Sequence, residues 1–338
     1  MAGTYAANRP NGETLSVKRL LKIYLDKPEL AGIVLLIALI GVFEFTSKGF
    51  LLSWDNLRGV LGLLPEMGLV AIGVTILMIA GEFDISVGSV FALSPMVMAI
   101  TMNMGVPFAA AVLLGLLAAA AIGAANGMIA LRFGIPSFIT TLGMLFIARS
   151  ITVVISGGFP PLLASDIPSW IFTQYIGLIR MSMFWFAGLA VILAVTLSLM
   201  NLGNWIKATG GQIDAANAMG IPSGRVKMFC FVLCAMLAGF AGIIQVLRLG
   251  SPLPSLGEGL ELQAVAAAVI GGTSLFGGIG TVVGAIVGAL LIRVIDNGLV
   301  LSRVDANWFK FAIGALLILA VIGNTWLRRQ SRRIKLEG

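Results

Sequence analysis

Between Val269 and Gly288 the chain reads VIGGTSLFGGIGTVVGAIVG, seven glycines around a Thr-Ser pair. Such a stretch could cradle a phosphate with its backbone amides, the chemistry of a nucleotide-binding loop. A phosphate loop also needs a lysine just after its last glycine, yet no lysine lies between Lys227 and Lys310. A dinucleotide fold would want a strand before the glycines and an acid after them, and neither is present. Instead Gly280, Gly284 and Gly288 recur every four residues along an apolar run. That spacing lets membrane helices approach closely. The pattern predicts a tight turn over GGTSLFGG followed by a helix-packing seam, with no nucleotide held by this chain.

A second stretch, AGEFDISVGS from Ala80 to Ser89, sets Glu82 and Asp84 between two long apolar runs. A carboxylate at the centre of a bilayer costs at least about 2.5–3.5 kcal/mol on insertion scales. These two must sit at an interface, line a wet cavity or be paired. Asp84 and Ser86 are also good N-cap types for a helix opening at Val87. Other polar residues inside apolar runs are Glu66 after Pro65, Asn126, Thr140, Thr141, Arg149 and Gln245. A hydroxylated solute would want such neutral donors and acceptors, although hydrogen bonds between helices use the same groups. Asp84, Ser86, Asn126, Thr140, Thr141 and Gln245 are the candidate lining of a translocation pathway.

A third stretch, IDAANAMGIPSGRVK from Ile213, opens with an acid and runs through small residues to Gly220-Ile221-Pro222. Glycine followed by proline is a helix stop. The pattern predicts a short amphipathic helix within a connection longer than most, a docking element on the inner face. Cys230 and Cys234 share a helix face and are read as small buried residues rather than metal ligands. The chain has no histidine. That excludes histidine triads and leaves any proton relay to carboxylates alone.

The elements that must carry these residues are membrane spans. The chain of 338 residues is 59% hydrophobic and 11% charged, with a mean hydropathy of +1.03, whereas soluble domains are about 25% charged. Apolar runs near 30–47, 57–80, 87–104, 107–131, 136–156, 181–202, 227–248, 262–274, 279–297 and 308–327 predict an all-α polytopic protein. It would have about ten transmembrane helices, in a range of eight to ten. The eighth is too short to cross, so broken or re-entrant segments are expected, which need protein or water to satisfy their backbone.

The net charge of +7 would suggest nucleic acid in a soluble protein. Here it gathers in Arg9, Lys18, Arg19, Lys22 and Lys27 before the first span, and in Arg328, Arg329, Arg332, Arg333 and Lys335 after the last. The positive-inside rule then places both termini in the cytoplasm. Residues 1–28 read as a cytoplasmic arm with an interfacial helix around Val17, Leu20, Leu21 and Tyr24, and no cleavable signal is visible. Residues 29–327 read as the transmembrane domain, with an external loop at 156–180 and an internal loop at 203–227. Residues 328–338 form a basic tail.

Four motifs in order resemble the permease subunits of ribose-type ABC sugar importers, a family related to the branched-chain amino-acid permeases. GEFDISVGS resembles the family's GGIDLSVGS. NGMIALRFGIPSFITTLGM, from Asn126, resembles its NG…IPPFIATLG run. GNWIKATGGQIDAANAMGI is similar to the loop bearing the coupling motif, and ELQAVAAAVIGGTSLFGGIGTVVGAIVGALL, from Glu261, is close to the last motif. The resemblance implies a homodimer in the bacterial inner membrane, two cytoplasmic subunits that bind ATP and magnesium, and an external solute-binding protein. It also implies a coupling helix built from Asp214, Ala215, Ala216, Asn217, Gly220, Ile221 and Pro222. Glu82 stands where the family has glycine, and Asn217 and Met219 stand for its Arg and Ser. The solute implied is a monosaccharide, polyol or similar molecule, with branched-chain amino acids, nucleosides or a sugar-like signal as the nearest alternatives. A secondary transporter is the reading from another class.

Overall fold

The computed structural model of the chain describes residues 29–163, 167–305 and 307–336, with side chains up to Ile322. The arm at 1–28, with its expected interfacial helix, and the side chains of the basic tail lie outside the described residues. The helices are α1 (Glu29–Thr46), α2 (Trp54–Ile79), α3 (Val87–Asn103), α4 (Phe108–Phe133), α5 (Ser137–Ile155), α6 (Trp170–Thr173), α7 (Met181–Leu199), α8 (Asn201–Gly211), α9 (Ile213–Ala218), α10 (Ser223–Leu249), α11 (Leu260–Ile270), α12 (Val282–Leu301) and α13 (Trp308–Leu336). A two-residue ladder, β1 (Tyr175–Ile176) with β2 (Ile179–Arg180), is the one strand pair among the described residues.

The fold is all-α and polytopic. Seven helices are long and apolar enough to cross a bilayer, and α3, α11 and the Trp308–Ile322 part of α13 are shorter apolar helices. At 1.5 Å per residue the 11-residue α11 spans roughly 16 Å, about half of a hydrocarbon core near 30 Å thick. It is a half-helix.

Burial sorts the helices into a centre and a rim. α2 is mostly apolar and buried along most of its length, as expected of a helix surrounded by protein. α10 packs against α2, α3 and α4. Gly73 of α2 abuts Cys234 of α10, and Glu66 reaches Arg248, so the two helices run antiparallel. Glycine permits the tightest crossings. A Cβ at Gly239 would press on Ser94 of α3, and one at Gly123 of α4 would press on the Phe231 carbonyl. Lipid offers no hydrophobic drive for association, so packing of this kind holds the bundle together. On the rim, α4, α5 and α7 expose apolar side chains such as Leu117, Phe146 and Val191.

The 203–227 segment is more ordered than a loop. α7 ends at Leu199, extended backbone at Met200 turns the chain, and α8 and α9 follow before α10 opens at Ser223. The glycine run also differs from its expected register. Gly280 precedes α12, whose first residue is Val282, so it belongs to the turn. Thr281 supplies the physical reason: its Oγ1 accepts from the Gly284 amide at 2.9 Å and caps the helix one residue later than Gly280. Gly284 and Gly288 do lie on the helix, where a Cβ would overlap the carbonyl oxygens of Gly271 and Ala267.

Candidate functional site

Two interruptions of the helical bundle gather the polar residues. The first is the break at 80–86 between α2 and α3. Asp84 lies in it, fully buried, and its Oδ1 accepts from the Ser86 amide at 2.8 Å and from the Ser86 hydroxyl at 2.6 Å. Ser86 occupies the N-cap position of α3, but its hydroxyl turns to Asp84 rather than to the helix amides. Asn126 of α4 donates to Ser86 Oγ at 2.9 Å and to Asp84 Oδ2 at 3.3 Å. From α5, Ser137 Oγ accepts from the Phe83 amide and Thr141 Oγ1 from the Ile85 amide. Side chains of α5 thereby satisfy amides of this irregular backbone. Asn126 Oδ1 and Thr140 Oγ1 are buried without a hydrogen-bond partner among the described residues.

The second interruption is 250–259, between α10 and α11. Arg149, on α5, donates through Nη1 to the Pro254 and Leu256 carbonyls and through Nη2 to the Gly88 carbonyl at 3.3 Å. Gly88 and Gly257 touch backbone to backbone, and a Cβ at Gly88 would overlap Glu261 at the start of α11. One guanidinium thereby ties the start of α3 to the non-helical run before α11. Arginine suits this because its planar fork offers several donors and never loses its charge.

Of the six residues expected to line a pathway, the structure brings Asp84, Ser86, Asn126 and Thr141 into one network at 80–86. Thr140 lies beside it in sequence, its hydroxyl without a partner among the described residues. Gln245 stands apart on α10, three residues before Arg248, with no hydrogen bond joining it to the network. Two ionic contacts were not anticipated from sequence. Lys227, in α10, meets Glu82 of the first break at 2.6 Å, and Arg248 meets Glu66 at 3.3 Å. Each partner lies more than a hundred positions away along the chain, so no local pattern announces it. Cys230 and Cys234 are buried in α10 as free thiols.

The 271–281 turn and the end of α8 converge at one end of α2. The Gly278 amide donates to the Ile79 carbonyl at 2.8 Å, and Gly277 and Gly278 lie against Gly210 and Gly211 at the end of α8. The 271–281 turn therefore rests on the segment that leads into α9. α9 itself is displayed: Ala216 is buried, whereas Asp214, Ala215, Asn217 and Gly220 are exposed. Gly220 is in the left-handed region, φ 80°, and a Cβ there would meet nothing within 4 Å. At the other end of α2, Arg180 donates to the Gly62 carbonyl at 2.8 Å and to Tyr175 Oη at 2.6 Å, with the Tyr175 ring also beneath Arg58. Gly62 and Ile79 are roughly 25 Å apart along the helix. The 156–180 segment and the α8–α9 segment thus stand at opposite ends of the bundle.

Residues 56–321 match the family described as the permease component of branched-chain amino acid transport systems. The chain belongs to this permease family. The permease is 34% identical over 300 residues to the ribose import permease of Escherichia coli K12, covering 87% of this chain and 92% of that one. It is 31% identical over 327 residues to a probable ABC transporter permease of the same organism, covering 96% and 97%. With the autoinducer 2 import system permease of Photorhabdus luminescens it shares 31% identity over 315 residues, covering 91% and 93%. No solved structure matches the permease.

Proposed function

We propose that this permease is the membrane-spanning subunit of an ABC importer that carries a monosaccharide, polyol or similar hydroxylated solute by alternating access. It works as a homodimer in the bacterial inner membrane with both termini cytoplasmic. Two partner ATPases bind ATP and magnesium, and an external solute-binding protein delivers the solute. This chain supplies no catalytic residue, metal site or cofactor site of its own.

One observation carries the reading: α9 is a six-residue helix exposed on nearly every side, at the bundle end where the α2 terminus and the 271–281 turn meet. An isolated helix so short has no stability of its own, and its open surface fits a groove on a partner. The Glu82–Lys227 pair then links the segment just after α9 to the break bearing Asp84. A push on α9 can in this way reach the polar network. The names of the ribose and autoinducer 2 relatives support a small hydroxylated cargo. The second of them favours a sugar-like signal as the alternative.

The test is Gly220→Trp in the complete importer. Uptake should be lost while the binding protein captures its solute as before. Normal uptake by that variant would refute the assignment of α9. A ligand screen of the binding protein names the solute.

A further inference from the structure

The α1–α2 and α12–α13 connections meet at the end of the bundle where α2 begins, away from α9. Asn56 of α2 and Asn297 of α12 exchange two side-chain amide hydrogen bonds, each of 2.9 Å. Phe43 of α1 packs on Gly298, and Thr46 Oγ1 lies 2.7 Å from Ser302 Oγ. Between the two connections these contacts leave a cavity of about 420 Å³, lined by residues 46–48, Phe50 and residues 301–303.

The cavity holds two cations, Lys48 and Arg303. Both are exposed, and neither is in an ion pair among the described residues. Their φ angles are 57° and 58°, and they are the two non-glycine residues with positive φ among the described residues. Residues with a side chain rarely adopt that conformation, and α4 and α10 end in it with Gly134 and Gly250. A cation after a helix C-terminus complements the dipole, but that calls for neither left-handed backbone nor a shared cavity. No carboxylate lines the cavity. The flanking Glu44 and Asp305 accept from the Leu52 and Asn307 amides. Two cations beside the hydroxyls of Thr46 and Ser302 suit a phosphate, whose oxygens accept from all of them.

The surroundings of the cavity decide where that phosphate comes from. α1 exposes Val34, Ile37 and Phe45 at helical spacing, the last 86% exposed, so an apolar stripe leads along the helix to the cavity. Trp54 and Trp308, which open α2 and α13, are exposed at the same end, as aromatic residues are at the headgroup level of a membrane. Basic pockets between spans are where anionic headgroups bind.

We propose that Lys48 and Arg303 hold the phosphate of an anionic phospholipid, whose acyl chains lie along the exposed stripe of α1. The proposal goes beyond the importer reading and needs only that the chain spans a membrane. On the sidedness proposed above, the lipid belongs to the outer leaflet.

The test titrates the full-length permease, purified in a nonionic detergent, with phosphatidylglycerol or phosphatidylcholine and counts bound lipid per chain by native mass spectrometry. The wild type should bind one phosphatidylglycerol at least about tenfold more tightly than phosphatidylcholine, as two basic groups beside a headgroup imply. Lys48→Gly with Arg303→Gly removes both charges and installs the residue that this backbone favours, so the fold is kept and the preference should vanish. Lys48→Arg with Arg303→Lys keeps both charges and should retain it. An unchanged preference in the glycine double variant would overturn the site, and so would its loss in the charge-keeping exchange. Displacement of the lipid by millimolar inorganic phosphate would assign the cavity to the free ion. Binding by the monomer but not the dimer would assign it to the second copy, and either result overturns the lipid reading. None of these outcomes touches the importer reading, because lipid is counted on the permease without its partner subunits.

Discussion

Gly284 shows how one missing methyl decides a helix contact. A side chain there would overlap the Gly271 carbonyl, and overpacking of this kind typically costs about 1–3 kcal/mol or more. Gly284→Leu should therefore abolish transport and leave nucleotide binding by the partner ATPase unchanged, as read by uptake beside nucleotide affinity of the ATPase mixed with the variant permease. Altered nucleotide binding would count against a packing role. Arg149 poses the opposite case, a charge that repairs backbone. Its removal strands the carbonyls of Gly88, Pro254 and Leu256, and unsatisfied groups in hydrocarbon cost several kcal/mol each. Arg149→Met should depress the thermal midpoint in detergent well below that of Arg149→Lys, which keeps a donor. Equal midpoints for the two variants would show that the clamp contributes nothing.

The breaks matter more than the helices at the scale of elements. α2 and α3 could have formed one long apolar rod were it not for Gly81, Glu82 and Asp84 between them. The break positions Glu82 for Lys227, and the chain leaving α9 is thereby tied to α3. If that tie transmits motion, Glu82→Lys should impair uptake, as should Lys227→Glu. The exchanged pair should recover much of it, measured as a double-mutant cycle on transport rate. Additive losses without recovery would mean that the two charges act independently. The α11–α12 pair works differently. There the turn at 271–281 lets a half-helix and a full helix pack through Gly271, Ala267, Gly284 and Gly288, with Thr281 marking the start of α12.

For the whole molecule, the two ends of α2 carry different segments, the 156–180 segment at one and the α8–α9 segment at the other. Asn217 and Phe159 are both exposed and lie in segments at opposite ends. In right-side-out vesicles a membrane-impermeant maleimide should label Phe159→Cys directly and Asn217→Cys only after permeabilisation. The native Cys230 and Cys234 are buried in α10 and should stay unlabelled throughout. Labelling of Asn217→Cys from outside would invert the topology and exclude an ATPase docked on α9. The exposed apolar rim of α4, α5 and α7 has to meet lipid or the second copy, which is why the dimer belongs to the proposal.

How much of this was legible varies with how local the cause is. The helices were readable because an apolar run of helical length has few other fates in a chain this hydrophobic. The half-helix at Leu260–Ile270 was readable from its length, and the short helix at Ile213 from its acid start and Gly-Pro stop. The network around Asp84 was half readable: sequence named Asp84, Ser86, Asn126 and Thr141 as polar residues in apolar surroundings, but not that they meet, nor that Ser137 joins them. Gln245 had the same credentials and lies elsewhere. The Gly280 register was misjudged because a four-residue spacing carries no information about where a threonine caps the helix. Composition and periodicity alone determined the medium, the helix content and the lack of a phosphate loop, since hydropathy and residue chemistry act through near neighbours. Only the tertiary structure decided which charges pair. Glu82 with Lys227, Glu66 with Arg248, and Arg149 with three distant carbonyls depend on how helices far apart in the chain cross. A buried charge is tolerated only where that crossing brings its partner within reach.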